Sequence, residues 1–160
     1  MIKHTIVVII LILNEPVFIM VKRCDVKQTP KHVQYAYEQY VRAYNAYDTH
    51  AYWSLFHWPY TAVTGHECVI QTHPPCALIE LKHQSGCAYM QIISLQVVAY
   101  SERTAHVVVR LARLDNQQQL IDECDMVYIY KKIHDEWKIY VVSIVDDARI
   151  DTAVGVELSG

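Results

Sequence analysis

The sequence predicts an α+β fold: a cone-shaped, strongly curved antiparallel sheet wrapped by about three helices from the N-terminal half. Three observations carry that expectation. Apolar residues between positions 30 and 57 recur at helical spacing. After Pro59 the residue preferences turn to β-branched and aromatic. The last four strand-like runs are long and joined by short polar connections, the order of an antiparallel meander packed against earlier helices. Strands of that length must curl, and a curled sheet closed by helices encloses a volume open to a ligand.

The elements follow in order. Val33, Tyr37, Tyr40, Val41 and Tyr44 form one apolar stripe of a helix that Pro30 opens, while Lys31, Gln34, Glu38 and Arg42 take the other side. Tyr47 extends the stripe toward the sheet. Asp48 caps a second helix from Thr49 through about His57, which Pro59 stops. Tyr60 to Thr64, the Gly65-His66 turn and Cys68 to Gln71 read as a hairpin. Pro75 through Gln84 reads as a third helix, with Gly86 beyond its end. Strands are expected over about Ala88 to Glu102, Ala105 to Leu114, Ile121 to Lys132 and Trp137 to Val145.

Charged residues are 19% of the chain and the formal net charge is −3, so no basic surface advertises nucleic acid. The 5 cysteines include no CxxC pair, which argues against a dense disulfide framework. Residues 30–148 make one domain, followed by a tail at 149–160. Residues 1–23 stand apart as an apolar extension, where Lys3 and His4 precede the run Thr5 to Leu13, and Asn14-Glu15-Pro16 interrupts it before Val17 to Val21. Three readings stay open for it: a signal or anchor, a packed or disordered extension, and a natural start at Met20. Membrane attachment is expected only if residues 5–21 act as an anchor, and the compartment stays open. The chain has only 4 glycines and lacks G-x-S-x-G, a phosphate-cradling loop and a dinucleotide fingerprint, so nucleotide-dependent chemistry is disfavoured and no cofactor is expected.

Four stretches carry a family likeness: Tyr40 to Asp48; Leu55-Phe56-His57-Trp58-Pro59-Tyr60; Val107 to Arg113; and Tyr128 to Lys132 with Trp137-Lys138-Ile139. In their order and spacing the chain resembles the NTF2-like superfamily, specifically its SnoaL-like and ketosteroid-isomerase-like branch. It is most similar to a subgroup with a histidine-aromatic-proline-histidine stretch after the second helix, where Tyr60 here replaces the second histidine. Gly86-Cys87 and Asp135-Glu136 also depart from that subgroup's Gly-Trp and Asp-Gly. The resemblance implies a cone-shaped domain. Such domains serve as isomerases, dehydratases, cyclases and epoxide hydrolases, and also as binding or assembly modules, so the site must decide the function.

A cofactor-free enzyme of that kind needs an ionisable base in an apolar cone and a phenol to stabilise an oxyanion. Asp125, mid-strand in Cys124-Asp125-Met126, is one candidate base; the alternative places it with Glu123 on a solvated face opposite Arg110. His57, where the helices meet the first strand, is the other; the alternative is a structural histidine bonded to the backbone at the proline break. Tyr44 and Tyr128 are the candidate oxyanion donors. Trp58, Tyr60 and Tyr40 are expected to wall the cavity. Arg113 is the candidate carboxylate clamp, or else the partner of Asp115. His73, Cys76, His83 and Cys87 are suitable zinc ligand types at a spacing unlike a standard finger, so no metal is expected. The expected ligand is a small, largely apolar molecule. The rival to catalysis is a binding or homodimerisation module pairing through the sheet, by an apolar face such as Val107, Val109 and Leu111.

Overall fold

The structure is a computed structural model that describes residues 7–12, 15–20, 29–65 and 67–145. The N-terminal apolar run forms a hairpin of β1 (Val7–Ile12) and β2 (Glu15–Met20), paired antiparallel from Val7 with Met20 to Ile12 with Glu15 in a sheet of its own. Glu15 and Pro16 of the expected interruption are the first two residues of β2. Residues 1–6, 13–14 and 21–28, the turn residue His66 and the tail from 146 on lie outside the described residues, and with them most of what the signal, anchor and tail readings concern. Among the described residues no helix is long and apolar enough to cross a membrane.

Helix α1 (Thr29–Asn45) buries the expected stripe of Val33, Tyr37, Tyr40, Val41 and Tyr44. Tyr47 leaves it: the helix ends at Asn45, Tyr47 takes φ 58°, and its ring is 40% exposed. Asp48 then caps α2 (Thr49–Ser54), its Oδ1 accepting from the Ala51 N–H at 2.8 Å. This helix ends earlier than His57 because Phe56 is already a strand residue, paired in parallel with Ile139.

Strand β3 (Phe56–Thr64) turns back as β4 (Glu67–Gln71). Helix α3 (Leu78–Ser85) begins later than Pro75, since the Pro74-Pro75 pair removes two donors and holds extended backbone, and Gly86 closes it at φ 68°. The meander is β5 (Tyr89–Tyr100), β6 (Thr104–Leu114), β7 (Leu120–Ile133) and β8 (Glu136–Val145). All four strands were expected at nearly these bounds. The six-stranded sheet has the order β4-β3-β8-β7-β6-β5, antiparallel except for β3 beside β8. Register shifts interrupt the β3/β8, β5/β6, β6/β7 and β7/β8 ladders, and such bulges bend a sheet. The β3 shift spans Trp58-Pro59, where a residue without an N–H cannot donate to a ladder.

One face of the sheet packs on α1 and α2. Alternation puts Ala105, Val107, Val109 and Leu111 of β6 on it, each fully buried, with Tyr128 and Tyr130 of β7 and Ile139 of β8 beside them. The apolar row Val107, Val109 and Leu111 is therefore core and not a surface for a second copy. The opposite, outer face carries His106, Val108, Arg110 and Ala112.

Candidate functional site

The rungs of the sheet locate the inner face residue by residue. Tyr128 lies between Val107 and Val142, Met126 between Val109 and Ile144, and Cys124 opposite Leu111. Ala62 continues the first of these rungs through its pairing with Val142. The next rung pairs Asp122 with Arg113, which is opposite Met90 on β5. Under α1 this face is closed. Farther along it, Ala62, Cys124, Met126 and Val142 pack half-buried against the core, and Ile144 beside them is half-buried too, an apolar stripe. Arg113 ends the stripe. Its Nε donates to Asp122 Oδ1 at 2.6 Å and its Nη2 to Asp122 Oδ2, a two-point pair with the side chains 34% and 42% exposed. That bond raises the Arg113 pKa and lowers that of Asp122.

The floor beneath is aromatic. Tyr37 and Tyr128 meet edge to face at 5.0 Å between centroids, while Tyr40 and Tyr52 at 5.1 Å and Phe56 and Tyr60 at 4.8 Å meet tilted. Tyr40 and Tyr52 share a hydrogen bond at 3.2 Å. Each such pair contributes about 0.5–1.5 kcal/mol beyond its buried area, so the rings are the centre of the core. The expected phenol donors are spent inside it. Tyr44 Oη donates to the Cys87 carbonyl at 2.7 Å, and Tyr128 Oη to Met126 Sδ at 3.3 Å. Tyr37 and Tyr130 bury hydroxyls that find no hydrogen-bond partner among the described residues. Burial, above all, raises the pKa of all of these phenols and keeps them protonated.

A family model described as NTF2-like protein (DUF6841) matches residues 30–147. The chain belongs to that NTF2-like family. Solved structures agree at the level of the fold. An NTF2-like protein of unknown function from Shewanella oneidensis is 15% identical, with a TM-score of 0.58 over 72% of this chain and 98% of the other. A Streptomyces avermitilis member of the NTF2-like family, named as a candidate dehydratase, is 16% identical at a TM-score of 0.54, covering 71% and 92%. A Nostoc punctiforme protein with a cystatin-like fold is 10% identical at 0.54, covering 71% and 87%. No curated protein matches the chain.

In this NTF2-like chain the two candidate bases do not reach the inner face. His57 follows buried Phe56 on β3, so its ring turns outward. There it meets Tyr140 at 5.3 Å between centroids, with Nδ1 3.1 Å from the Pro59 carbonyl oxygen. These are the contacts that the alternative reading, a histidine bonded to the backbone at the proline break, calls for. Asp125 lies across from Arg110 on the outer face, 3.6 Å from its Nη1, and Glu123 is 2.9 Å from the same guanidinium. Asp125 thus stands opposite Arg110 with its side chain 14% exposed, while Glu123 is 39% exposed. Arg113 stands inside, although Asp122 and not Asp115 pairs with it. Asp115 Oδ1 is engaged with the N–H groups of Gln117 and Gln119 in the β6–β7 turn.

Of the expected wall residues, Tyr60 and Tyr40 belong to the aromatic floor. Trp58 instead lines an open apolar groove of about 660 Å³ with Trp53, Pro74, Cys76 and Ala77. His73, Cys76, His83 and Cys87 are not gathered, and among the described residues no three His, Cys, Asp or Glu side chains converge. The four described cysteines, Cys68, Cys76, Cys87 and Cys124, are free thiols.

Two polar residues on buried faces escaped the sequence reading, and both left a trace in it. Asp122 shares the parity of Cys124 and Met126, which fixes it to the inner face. Lys82 follows Leu78 by one helical turn, a position where the buried stripe of α3 calls for an apolar residue.

Proposed function

We propose that this domain binds a small, largely apolar molecule on the inner face of its sheet, against Ala62, Cys124, Met126, Val142 and Ile144, with the polar end of the ligand at Arg113. The observation carrying this reading is the half-buried apolar stripe that ends at a guanidinium on the same face. Such a combination, apolar walls with one oriented polar group, is the usual chemistry of a small-molecule site. The reading is of binding, because His57 and Asp125 stand on the other side of the sheet and neither can act as a base on a molecule held there.

The test is titration with 1-anilinonaphthalene-8-sulfonate, an apolar ring system bearing one anionic group, followed by fluorescence. Saturable binding is expected, weakened at least about tenfold by Val142→Trp, which fills the stripe, and also weakened by Arg113→Met. Undiminished binding by both variants, with their circular dichroism unchanged, rules the reading out.

A second reading has its own observation. On the outer face Val108 and Ala112 are buried, beside half-buried Val127, Ile129 and Val141. This apolar patch, bordered by the Arg110, Glu123 and Asp125 charges, suits pairing with a second copy. Sedimentation of the wild type against Val127→Glu tests it: a dimer that the charge dissociates is expected, and a monomeric wild type excludes it.

A further inference from the structure

Lys82 is 3% exposed, and among the described residues no carboxylate pairs with it. Its Nζ donates to the Ala88 carbonyl at 2.6 Å and lies 3.2 Å from the centroid of the Tyr47 ring, 4.4 Å from that of Tyr44 and 5.6 Å from that of Tyr89. The ammonium is thus held by ring faces and one carbonyl, which offset only part of its lost hydration. A buried lysine is found this way where its charge is dispensable, and lysines of that kind act as bases and nucleophiles. Lys82 also lines a cavity of about 160 Å³ with Tyr47, His83, Gly86, Ala88 and Asn116. The volume corresponds to about five waters, enough for a carbonyl compound of a few carbons.

We propose that Lys82 is a nucleophilic amine that captures short-chain aldehydes in this cavity as imines. The amine lone pair attacks the carbonyl carbon to give a carbinolamine. Nitrogen then loses its proton, the hydroxyl leaves as water, and a C=N bond replaces the C=O bond. One aldehyde and one amine give one imine and one water, with no change of oxidation state. His83 and Asn116 supply polar groups on the cavity wall, and Tyr47, beyond the end of α1, is the exposed ring over the amine.

Burial favours the free amine, while the ring faces and the Ala88 carbonyl around Nζ favour the ammonium. α1 brings Tyr44, the residues just after it Tyr47, β5 Tyr89, the segment before β5 Cys87, and α3 itself His83. Burial lowers the Lys82 pKa to about 8, against a smaller opposing contribution from Cys87.

The experiment is brief exposure of the native full-length protein to propanal, reduction with sodium borohydride to fix any imine as a secondary amine, and peptide mass mapping across pH 6–10. At pH 8 the adduct at Lys82 is expected to form at least about tenfold faster than at exposed Lys131, because burial lowers the Lys82 pKa and leaves much of its amine neutral. Its rate is expected to level off above pH 8. Substituting Tyr47→Ala opens the cavity, and labelling of Lys82 is expected to persist or accelerate. Failure of Lys82 to react while surface lysines do, in both wild type and Tyr47→Ala, overturns the proposal. A Lys82 rate that keeps climbing to pH 10 overturns it equally.

Discussion

The phenol of Tyr44 donates to the carbonyl of Cys87 at 2.7 Å, tying the last turn of α1 to the residues that lead into β5. Asn45 adds a second tie, its Nδ2 donating to the Met90 carbonyl at 2.9 Å and its Oδ1 accepting from the Met90 N–H at 2.8 Å. Seven residues earlier on the same stripe, Tyr37 buries a hydroxyl with no hydrogen-bond partner among the described residues.

Tyr44→Phe and Tyr37→Phe remove the same atom and are expected to differ in sign. Tyr44→Phe strands the Cys87 carbonyl and costs about 1–2 kcal/mol. Tyr37→Phe removes a buried polar atom that nothing satisfies, so it leaves stability unchanged or raises it by up to about 1 kcal/mol. Urea denaturation of the two variants, with matched m-values, checks the contrast. Equal destabilisation by both contradicts it.

Asp48→Ala is expected to cost about 1 kcal/mol, since the side chain caps α2 through the Ala51 N–H. Asp48→Asn keeps the acceptor and is expected to fall within a few tenths of wild type. The same urea assay reads both.

The residues of α1 and the long strands declared themselves because one repeat governs each: a stripe of 3.6 residues in the helix, an alternation of two in the sheet. Alternation also placed Asp125 beside Arg110 and Arg113 within reach of the core, once one buried residue per strand is known. What sequence alone could not supply was the sign of that choice. Val107, Val109 and Leu111 are equally apolar whether they face α1 or a second copy, and only packing decides. His57 shows the same limit: its side depends on Phe56, which pairs with Ile139 more than eighty positions away. Lys82 escaped for a local reason. A lysine in a helix's last turn reads as solvated until the chain folds a ring such as Tyr47, expected on the stripe of α1 instead, over its amine.

Lys82→Met is expected to change how stability depends on alkaline pH. The folded ammonium titrates near 8 and the unfolded one near 10.5, so between those values the unfolded chain holds the extra proton and wild-type stability rises with pH. Below pH 8 both states are charged and wild type carries the full cost of the buried cation. The difference between wild type and Lys82→Met therefore moves in favour of wild type from about pH 7.5 to pH 10. The buried tyrosines act oppositely above pH 10, but equally in both proteins. Parallel urea titrations at fixed pH steps measure the difference, and a flat difference contradicts the cation's burial.

Asp122 and Arg113 make opposite predictions for stability and for binding. The Arg113 guanidinium holds the Asp122 carboxyl below its ordinary pKa, so the pair's contribution is present above about pH 4 and is lost as pH falls through the depressed value. Both side chains are a third or more exposed, which limits that contribution to about 0.2–1 kcal/mol. Asp122→Asn should accordingly flatten the acid limb of the stability curve and cost little at pH 7. In binding the sign reverses. With the carboxylate gone, the guanidinium at the end of the apolar stripe has no anionic partner, so an anionic apolar probe is expected to bind Asp122→Asn more tightly than wild type. Arg113→Met is expected to bind it less tightly. Fluorescence titration at two salt concentrations measures both, the gain in Asp122→Asn shrinking at the higher one because the attraction is between partly exposed charges. If Asp122→Asn binds the probe no better than Arg113→Met, the guanidinium is not what anchors the ligand.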